Sequence, residues 1–338
     1  MTSSYRADLQ PIVSALQFLS NDNFTFAGHP ATPGGQYAAI SPPGSPPVIS
    51  KLQNHLYAHC FTRRFPPTTL PEIPVPPAAD FLSSLSAANC GVERWDRGWQ
   101  VDQSLSTGAL LLHRHGQYRT VWPGEFVYQD GFGRAPQPTA LVSIFVARES
   151  LTVQPGYYFA FGSTAGDLLD EKHLFRLYWN VMAGDAAALM RALTFNFNRF
   201  GIPFKFKLPT DPFSYVRVDT GVSYIPRRYF SIAVDLALDV RASLGAALQP
   251  DVPLFTRPLA PGLAFAEDPG NSESFGTARC RLLAQGLWEA YTKGAAGLEA
   301  SLAAVEAAFH REGISLDHPY LNPGSPAYEF PDPSMQAL

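Results

Sequence analysis

The first ninety residues contain three segments in which apolar residues recur at helical spacing, residues 9–19, 51–61 and 79–90. In the first segment Leu9, Ile12, Val13 and Leu16 share one face. Two proline-rich stretches, residues 30–47 and 66–77, separate the segments. Proline disrupts helix interiors and central strands, so both stretches are expected to be connectors. We therefore predict a helical N-terminal region with proline-rich connectors over residues 1–100.

The pattern changes near residue 100 to short apolar runs separated by glycine and proline, which is typical of paired strands. Strands are predicted within 107–129, 140–150, 155–162, 204–208 and 215–224. Helices are predicted within 168–200, with a break at Gly184, and within 228–248, 274–291 and 297–312. This mixture predicts an α+β fold with a largely antiparallel sheet and packed helices over residues 101–318. Residues 319–338 are predicted to form a proline-rich tail.

Composition narrows the class of protein. The 338 residues are 46% hydrophobic and 13% aromatic, which is enough to bury a sizeable core. A net charge of −4 without a long basic run argues against binding to duplex nucleic acid. No stretch reaches the roughly 18 apolar residues of a membrane span, and the start MTSSYRADLQ has no targeting pattern. We expect a cytoplasmic protein, and three widely spaced cysteines fit ordinary free thiols.

Common catalytic motifs are absent from the sequence, including the P-loop, the zinc-binding HExxH, the GxSxG elbow and the dinucleotide-binding GxGxxG. His113 and His115 are two residues apart in a predicted strand, so both imidazoles are expected on one face. No third metal ligand is suggested nearby. They are either a catalytic pair without metal or ordinary exposed histidines.

A helix predicted to begin at Ser274 carries Arg279 and Arg281 in its second turn. Helix-start amides together with a guanidinium can hold a phosphate group. Helix capping alone also explains the serines before it. Both interpretations remain open at this point.

The strand at residues 204–208 places Lys205 and Lys207 on one face and its apolar residues on the other. The chain has only five lysines, so two on one aromatic strand are unusual. Partial burial and mutual proximity would each lower the pKa of a lysine, and a neutral lysine can act as a general base. If the next strand pairs with this one, Arg217 arrives beside the lysines. The alternative is an edge strand whose lysines discourage aggregation.

Several separated motifs resemble the HopA-type effector domain of plant-pathogenic bacteria. They are YYFAFG, RLYWN, PFKFKLPTDPFSYVRVDTGVSY and LAPGLAFAEDPGNSESFGTARCRLLAQGL, which lie within residues 87–291. The same domain occurs beside peptide-modifying enzymes of class V lanthipeptide and thioamitide pathways. FKFKLPTD followed by RVDTGVSY is also distantly similar to phosphothreonine lyase effectors. The resemblance implies β-elimination of phosphate.

The resemblance also implies roles for individual residues. Lys207 would remove the α-proton, and Lys205, Arg217 and Arg279 would bind the phosphate. The lyase effectors carry a histidine acid in a Lys-x-His pattern, whereas the corresponding strand here reads Tyr158-Phe159-Ala160. Candidates for the missing acid are Tyr158, His113 and His115.

The expected function is therefore a lyase that converts phosphoserine and phosphothreonine in a ribosomal precursor peptide to dehydroalanine and dehydrobutyrine. The chemistry requires no metal or organic cofactor. Expected partners are the phosphorylated precursor peptide with its leader, a separate Ser/Thr kinase acting as a complex with the chain, and a cyclase. Two alternatives are a non-catalytic protein that binds phosphopeptides or another partner, and a subunit that activates the kinase.

Overall fold

The chain begins with helices, as the sequence predicts, together with a small sheet. The computed structural model describes residues 4–30, 46–67, 76–129, 137–168, 170–270, 273–295 and 297–331. The first elements are α1 (Ser4–Ala15), β1 (Leu16–Phe18), β2 (Phe24–Phe26), β3 (His29–Pro30), α2 (Pro47–Leu56), a π-helical segment (Tyr57–Phe61) and α3 (Ala78–Ala88). Strands β1 to β3 form an antiparallel sheet and are too short to show a period in the sequence. Most of the two predicted connectors lies outside the described residues.

A five-stranded antiparallel sheet follows. Its strands are β4 (Arg94–Ser104), β5 (Leu110–Arg114), β6 (Gln117–Val121), β7 (Phe126–Tyr128) and β8 (Leu141–Val146), in the spatial order β6-β5-β4-β8-β7. One face buries its own apolar cluster around Trp99, Leu112 and Ile144. The predicted boundary between the N-terminal region and the core, after residue 100, falls within β4. The division of the chain into three regions remains a prediction.

A second antiparallel sheet of seven strands forms the centre of the remaining chain. Its strands are β9 (Glu149–Ser150), β10 (Tyr157–Phe161), β11 (Leu174–Trp179), β12 (Lys205–Pro209), β13 (Gly221–Pro226), β14 (Arg257–Ala260) and β15 (Leu263–Glu267). Their spatial order is β14-β15-β11-β13-β12-β10-β9. The associated helices are α4 (Ala186–Arg199), α5 (Phe230–Leu244), α6 (Phe275–Thr292) and α7 (Leu298–Arg311). The prediction of an α+β fold with largely antiparallel sheets is confirmed.

The two faces of the seven-stranded sheet differ in character, because side chains alternate along each strand. On one face Phe175 of β11 lies 5.7 Å, ring to ring, from Phe230 of α5. On the other face Tyr178 contacts the rings of Phe61 and Phe275, so the π-helical segment and α6 cover that side. The first face belongs to the apolar core, whereas the second carries the polar side chains of the candidate site.

Two predicted elements were wrong. Residues 174–179 were expected in a helix and instead form β11 at the centre of the sheet. Leu174 and Leu177 have helical spacing, but a strand buried on both faces loses its polar alternation and resembles a helix segment. Residues 215–224 were expected to be one strand, yet a 3₁₀ helix (Pro212–Val216) occupies the start and β13 begins only at Gly221.

Helices α6 and α7 pack closely along their lengths. A Cβ atom at Gly286 would lie 2.5 Å from the Cα of Val305, so only glycine permits this approach. Residues after α7 continue without helix or strand up to residue 331, and Tyr320, Tyr328 and Phe330 pack on the main core. Residues 332–338 of the predicted tail lie outside the described part. No helix among the described residues is long and apolar enough to cross a bilayer.

Candidate functional site

A cavity of about 420 Å³ lies over the polar face of the seven-stranded sheet. Strands β11, β12 and β13 form its floor, and the π-helical segment with the start of α6 forms its cover. The described residues that line it include Lys207, Arg176, Arg217, Asp219, Asp268 and Glu273. We call this space the phosphate cavity, because it is lined by Lys207 and Arg217, to which the family resemblance assigned roles in phosphate elimination.

Lys207 enters the phosphate cavity because of the strand period of β12. It pairs with Phe159 on one side and Val222 on the other, and its core-facing neighbours Phe206 and Leu208 are fully buried. Its Nζ donates a hydrogen bond of 2.9 Å to Gln154 Oε1. The same atom lies 4.5 Å from the ring centroid of Tyr157. The ammonium group of Lys207 is therefore held by uncharged groups, an amide and an aromatic ring.

Arg217 reaches the phosphate cavity from the connection between the 3₁₀ helix and β13, not from a strand. Its Nε and Nη2 each donate a 2.8 Å hydrogen bond to one carboxylate oxygen of Asp219. Nη2 also donates to the Tyr57 hydroxyl at 3.3 Å. Burial opposes the charged form of Arg217, but Asp219 together with Tyr57 and Tyr157 outweighs burial and raises the pKa of the guanidinium. Arg217 is therefore a fixed cation.

Arg176 is a second fixed cation that the sequence did not assign to the site. It lies on β11, opposite Tyr224 of β13, and its Nε donates a 2.7 Å hydrogen bond to Asp268 Oδ2. Burial works against its charge, yet nearby tyrosines and Asp268 together raise its pKa. In a strand, Arg176 and Tyr178 lie on one face because they are two residues apart. The helical prediction for residues 174–179 hid this pattern, which would have indicated Arg176 as a site residue.

The start of α6 borders the same cavity. Ser274 is the N-cap residue, and its Oγ accepts a 3.1 Å hydrogen bond from the Thr277 backbone N–H. Gly276 faces the Phe61 ring so closely that a Cβ atom would collide with the ring. The positive end of the α6 dipole therefore points toward the phosphate cavity from its cover.

The charges of the phosphate cavity are largely compensated. Arg176 pairs with Asp268, Arg217 with Asp219, and Glu273 with Arg281. Lys207 forms no ion pair with a carboxylate among the described residues, since its hydrogen-bond acceptor is the Gln154 amide. The positive charge that remains for an anion comes from Lys207 and the α6 dipole.

Lys205 shares the face of Lys207 but does not line the phosphate cavity. It lines a neighbouring cavity, and its Nζ lies 3.5 Å from Glu171 Oε1. Both side chains of this pair are about half exposed. The structure therefore separates the two lysines that the sequence grouped together.

Arg279 is also placed elsewhere. Its side chain is buried beneath the segment that follows α7, where Nε donates to the Pro319 carbonyl at 2.6 Å and Nη2 to the Leu321 carbonyl at 2.9 Å. Burial lowers the pKa of Arg279 to about 10. Arg279 fastens the C-terminal segment to α6 and does not line the phosphate cavity.

Tyr158 points away from Lys207. It pairs with Leu208 on the core face of the sheet, and its hydroxyl donates a 2.7 Å hydrogen bond to Glu149 Oε2. Burial and this hydrogen bond raise its pKa. The neighbouring residue Tyr157 occupies the cavity face instead.

His113 and His115 belong to the five-stranded sheet and do not line the phosphate cavity. The expectation that they share a strand face was wrong, because β5 ends at Arg114. His115 and Gly116 both have positive φ values, 50° and 79°, and form the two-residue turn into β6. Among the described residues, no group of three His, Cys, Asp or Glu side chains could hold a metal ion.

A comparison with protein families matches the part of the chain that contains most of this cavity. A family model described as "HopA1 effector protein family" matches residues 148–321, which include strands β9 to β15 and helices α4 to α7. The phosphate cavity lies within that range except for the π-helical segment in its cover. No curated protein matches the chain.

The solved structures that are similar to the chain include two effector proteins. One is the effector protein from Pseudomonas syringae pv. tomato strain DC3000, with 18% identity, a TM-score of 0.42, and coverage of 73% of this chain and 81% of that chain. The other is the effector protein from Pseudomonas syringae pv. syringae strain 61, with 14% identity, a TM-score of 0.44, and coverage of 75% and 85%.

Proposed function

The chain belongs to the HopA1 effector protein family, and from this premise we propose that it is a lyase that eliminates phosphate from phosphoserine and phosphothreonine residues of a peptide. The observation that carries the proposal is a lysine whose partners among the described residues are all neutral groups, in a cavity that also presents two fixed guanidiniums. The distant resemblance to phosphothreonine lyase effectors supports the same chemistry.

Lys207 is the proposed base. After the Lys207 ammonium has given its proton to solvent, the amine removes the α-proton of the phosphorylated residue. The electron pair of that C–H bond forms the Cα–Cβ double bond while the Cβ–O bond to phosphate breaks. Phosphate departs with that bonding pair, and the proton on Lys207 passes to phosphate or water. The tyrosines around Lys207 shape the space for the peptide backbone.

Arg217 and Arg176 are the proposed phosphate ligands. Each guanidinium carries five N–H donors, and its carboxylate partner fixes the plane in which these donors point. We assign Arg176 the role that the resemblance implied for Lys205 and Arg279, because neither of those residues lines the phosphate cavity. The α6 dipole adds to the stabilisation of the leaving phosphate.

The proposed mechanism works without a histidine acid. Tyr158, His113 and His115 lie outside the phosphate cavity. A phosphate group held by guanidiniums can leave as an anion, because preorganised donors stabilise the charge that develops on its oxygens.

The direct test is incubation of the pure protein with a synthetic phosphoserine peptide, without nucleotide, followed by mass spectrometry. We expect loss of the mass of phosphoric acid. Lys207→Met should reduce kcat/KM by about 10²–10⁴-fold with the fold retained, whereas Lys293→Met, on an exposed lysine, should leave it unchanged. Full activity of Lys207→Met would disprove the role of this base.

We further propose that the substrate is a ribosomal precursor peptide in a lanthipeptide or thioamitide pathway in the cytoplasm. A separate Ser/Thr kinase would install the phosphate as a complex with this chain, because the sequence has no nucleotide-binding motif. A cyclase would use the dehydrated product. Co-purification of the kinase with the chain, and dehydration only when both are present, would support this assignment.

A phosphopeptide-binding protein without catalysis is the second candidate. The pairing of both cavity arginines with carboxylates favours it, since a binding site needs rigid donors but no base. Tight binding of a phosphopeptide whose mass never changes, even with the genuine precursor and kinase, would support this candidate and reject the lyase.

A further inference from the structure

A second cavity of about 360 Å³ adjoins the phosphate cavity. It lies between the five-stranded and seven-stranded sheets and is bordered by the segment at residues 161–166. Its walls are mainly apolar and include Val121, Phe145, Phe161 and Leu174. Cavities of this size with apolar walls accommodate a large side chain or a small ligand.

The two cavities are adjacent along the sheet. Tyr224 lines both of them. Val153 and Gln154, which are consecutive, line the second and the phosphate cavity respectively. Likewise, Lys205 of β12 lines the second cavity and Lys207 lines the phosphate cavity. A ligand that occupies the phosphate cavity can therefore extend directly into the second cavity.

The spacing of the two cavities matches an extended peptide. Lys205 and Lys207 are two residues apart on one strand, which corresponds to roughly 6.6 Å along its axis. In an extended peptide, side chains two residues apart point to the same side at the same interval. For a peptide that lies along β12 with its phosphorylated residue facing Lys207, the side chain two residues away faces the second cavity.

The charges of the second cavity disfavour a second phosphate. Its described lining contains the carboxylates Glu125, Asp170 and Glu171 and the cations Arg119 and Lys205. Lys205 already pairs with Glu171. Asp170 pairs with Arg228, which lies outside this lining, and the two remaining carboxylates balance the two cations. No positive charge is left for a dianion, and the apolar walls favour an uncharged apolar side chain.

We propose that the second cavity binds an apolar side chain of the same peptide, two residues from the residue that loses phosphate. This inference rests on the proposed lyase function and adds a sequence preference to it. The cavity gives selectivity among phosphorylated sites, which a phosphate cavity alone cannot provide.

The test uses two nine-residue peptides with a central phosphoserine, one with leucine and one with serine at both positions two residues away. We expect the protein to favour the leucine peptide by about tenfold in kcat/KM, since apolar pockets discriminate on this scale. Gly166→Leu places a side chain in the lining of the second cavity, where an added Cβ meets only Pro203 at 3.9 Å. This variant should lose the preference yet retain the wild-type kcat/KM for the serine peptide.

The matched control is Gly184→Leu, because Gly184 lines neither cavity and a Cβ there meets no atom within 4 Å. It should keep the full preference, and thermal unfolding checks that both variants are folded. Equal kcat/KM for the two peptides, or a preference that survives Gly166→Leu, would overturn the inference.

Absence of turnover with both peptides would reject the lyase but not this subsite. The same comparison is then made as Kd, by fluorescence anisotropy, on peptides in which a non-eliminable phosphonate replaces the phosphate. A tenfold tighter Kd for the leucine peptide, lost in Gly166→Leu, would support the subsite as part of a binding protein. Equal Kd values would reject the subsite as well.

Discussion

Replacement of Arg217 by alanine is predicted to destabilise the fold as well as weaken phosphate binding. The Arg217 and Asp219 side chains are only 16% and 6% exposed, and two hydrogen bonds of 2.8 Å join them. Removing the cation leaves the Asp219 carboxylate buried without its partner, which costs about 3–5 kcal/mol in comparable pairs. This cost is a large part of the free energy of unfolding of a typical domain, which is roughly 5–15 kcal/mol.

The measurement is urea unfolding, because guanidinium chloride would screen the interaction under study. Trp179 is fully buried in the seven-stranded sheet and provides a fluorescence signal. A second variant combines Arg217→Gln with Asp219→Asn and replaces the ion pair by two amides of similar shape. It should recover about half or more of the lost free energy of unfolding, because no buried charge remains unpaired.

The two variants separate stability from binding. Both lack the guanidinium, so both should bind a phosphopeptide more weakly than the wild type, but only the single variant should be strongly unstable. A free energy of unfolding for Arg217→Ala within about 1 kcal/mol of the wild type would refute the reasoning, since this is the range of exposed pairs. The pair would then be open to solvent and mobile.

Three further predictions concern the packing around the site. Arg279→Gln should lower the free energy of unfolding by about 1.5–3 kcal/mol, because the guanidinium donates to backbone carbonyls. The affinity for a phosphopeptide should not change. A tenfold loss of affinity in a stable variant would show that Arg279 belongs to the phosphate site after all. Glu267→Gln should speed proteolytic removal of the segment after α7, since the buried carboxylate accepts hydrogen bonds from Asn322, Ser325 and Tyr328. A cleavage rate equal to that of the wild type would contradict this prediction. Gly286→Ala should cost about 1–3 kcal/mol in thermal unfolding, with Gly184→Ala as the near-neutral control; equal melting temperatures would show that α6 and α7 can separate.

The sequence located the lysine strand because β12 combines a strong polar–apolar contrast with the strand period. Lys207 and its core-facing neighbours could therefore be placed before the fold was known. The same reasoning failed for β11, which is buried on both faces and offers no contrast between its two sides. Missing β11 also meant missing Arg176, which lies on the same face of the sheet as Lys207, with β13 between the two strands.

Other parts of the site have no local signal at all. Tyr57 belongs to the π-helical segment and contacts Arg217 across 160 positions of the chain. Gly276 matters because the Phe61 ring lies against it, a contact that neither segment reveals alone. The division between Lys205 and Lys207 likewise depends on Glu171 and Gln154, which approach from other elements. Such contacts follow from packing and cannot be read from periodicity.

The ion pairs of the phosphate cavity affect how it would recognise phosphate. Arg176 and Arg217 bring little net charge, since Asp268 and Asp219 neutralise them. Their contribution is instead geometric, because each carboxylate fixes a guanidinium whose remaining donors cannot turn away when the substrate arrives. Lys207 is the exception, because its neutral partners allow it to exchange a proton without breaking an ion pair. In the proposed elimination, the two arginines would therefore provide rigid recognition of phosphate, and Lys207 would carry out the proton transfer.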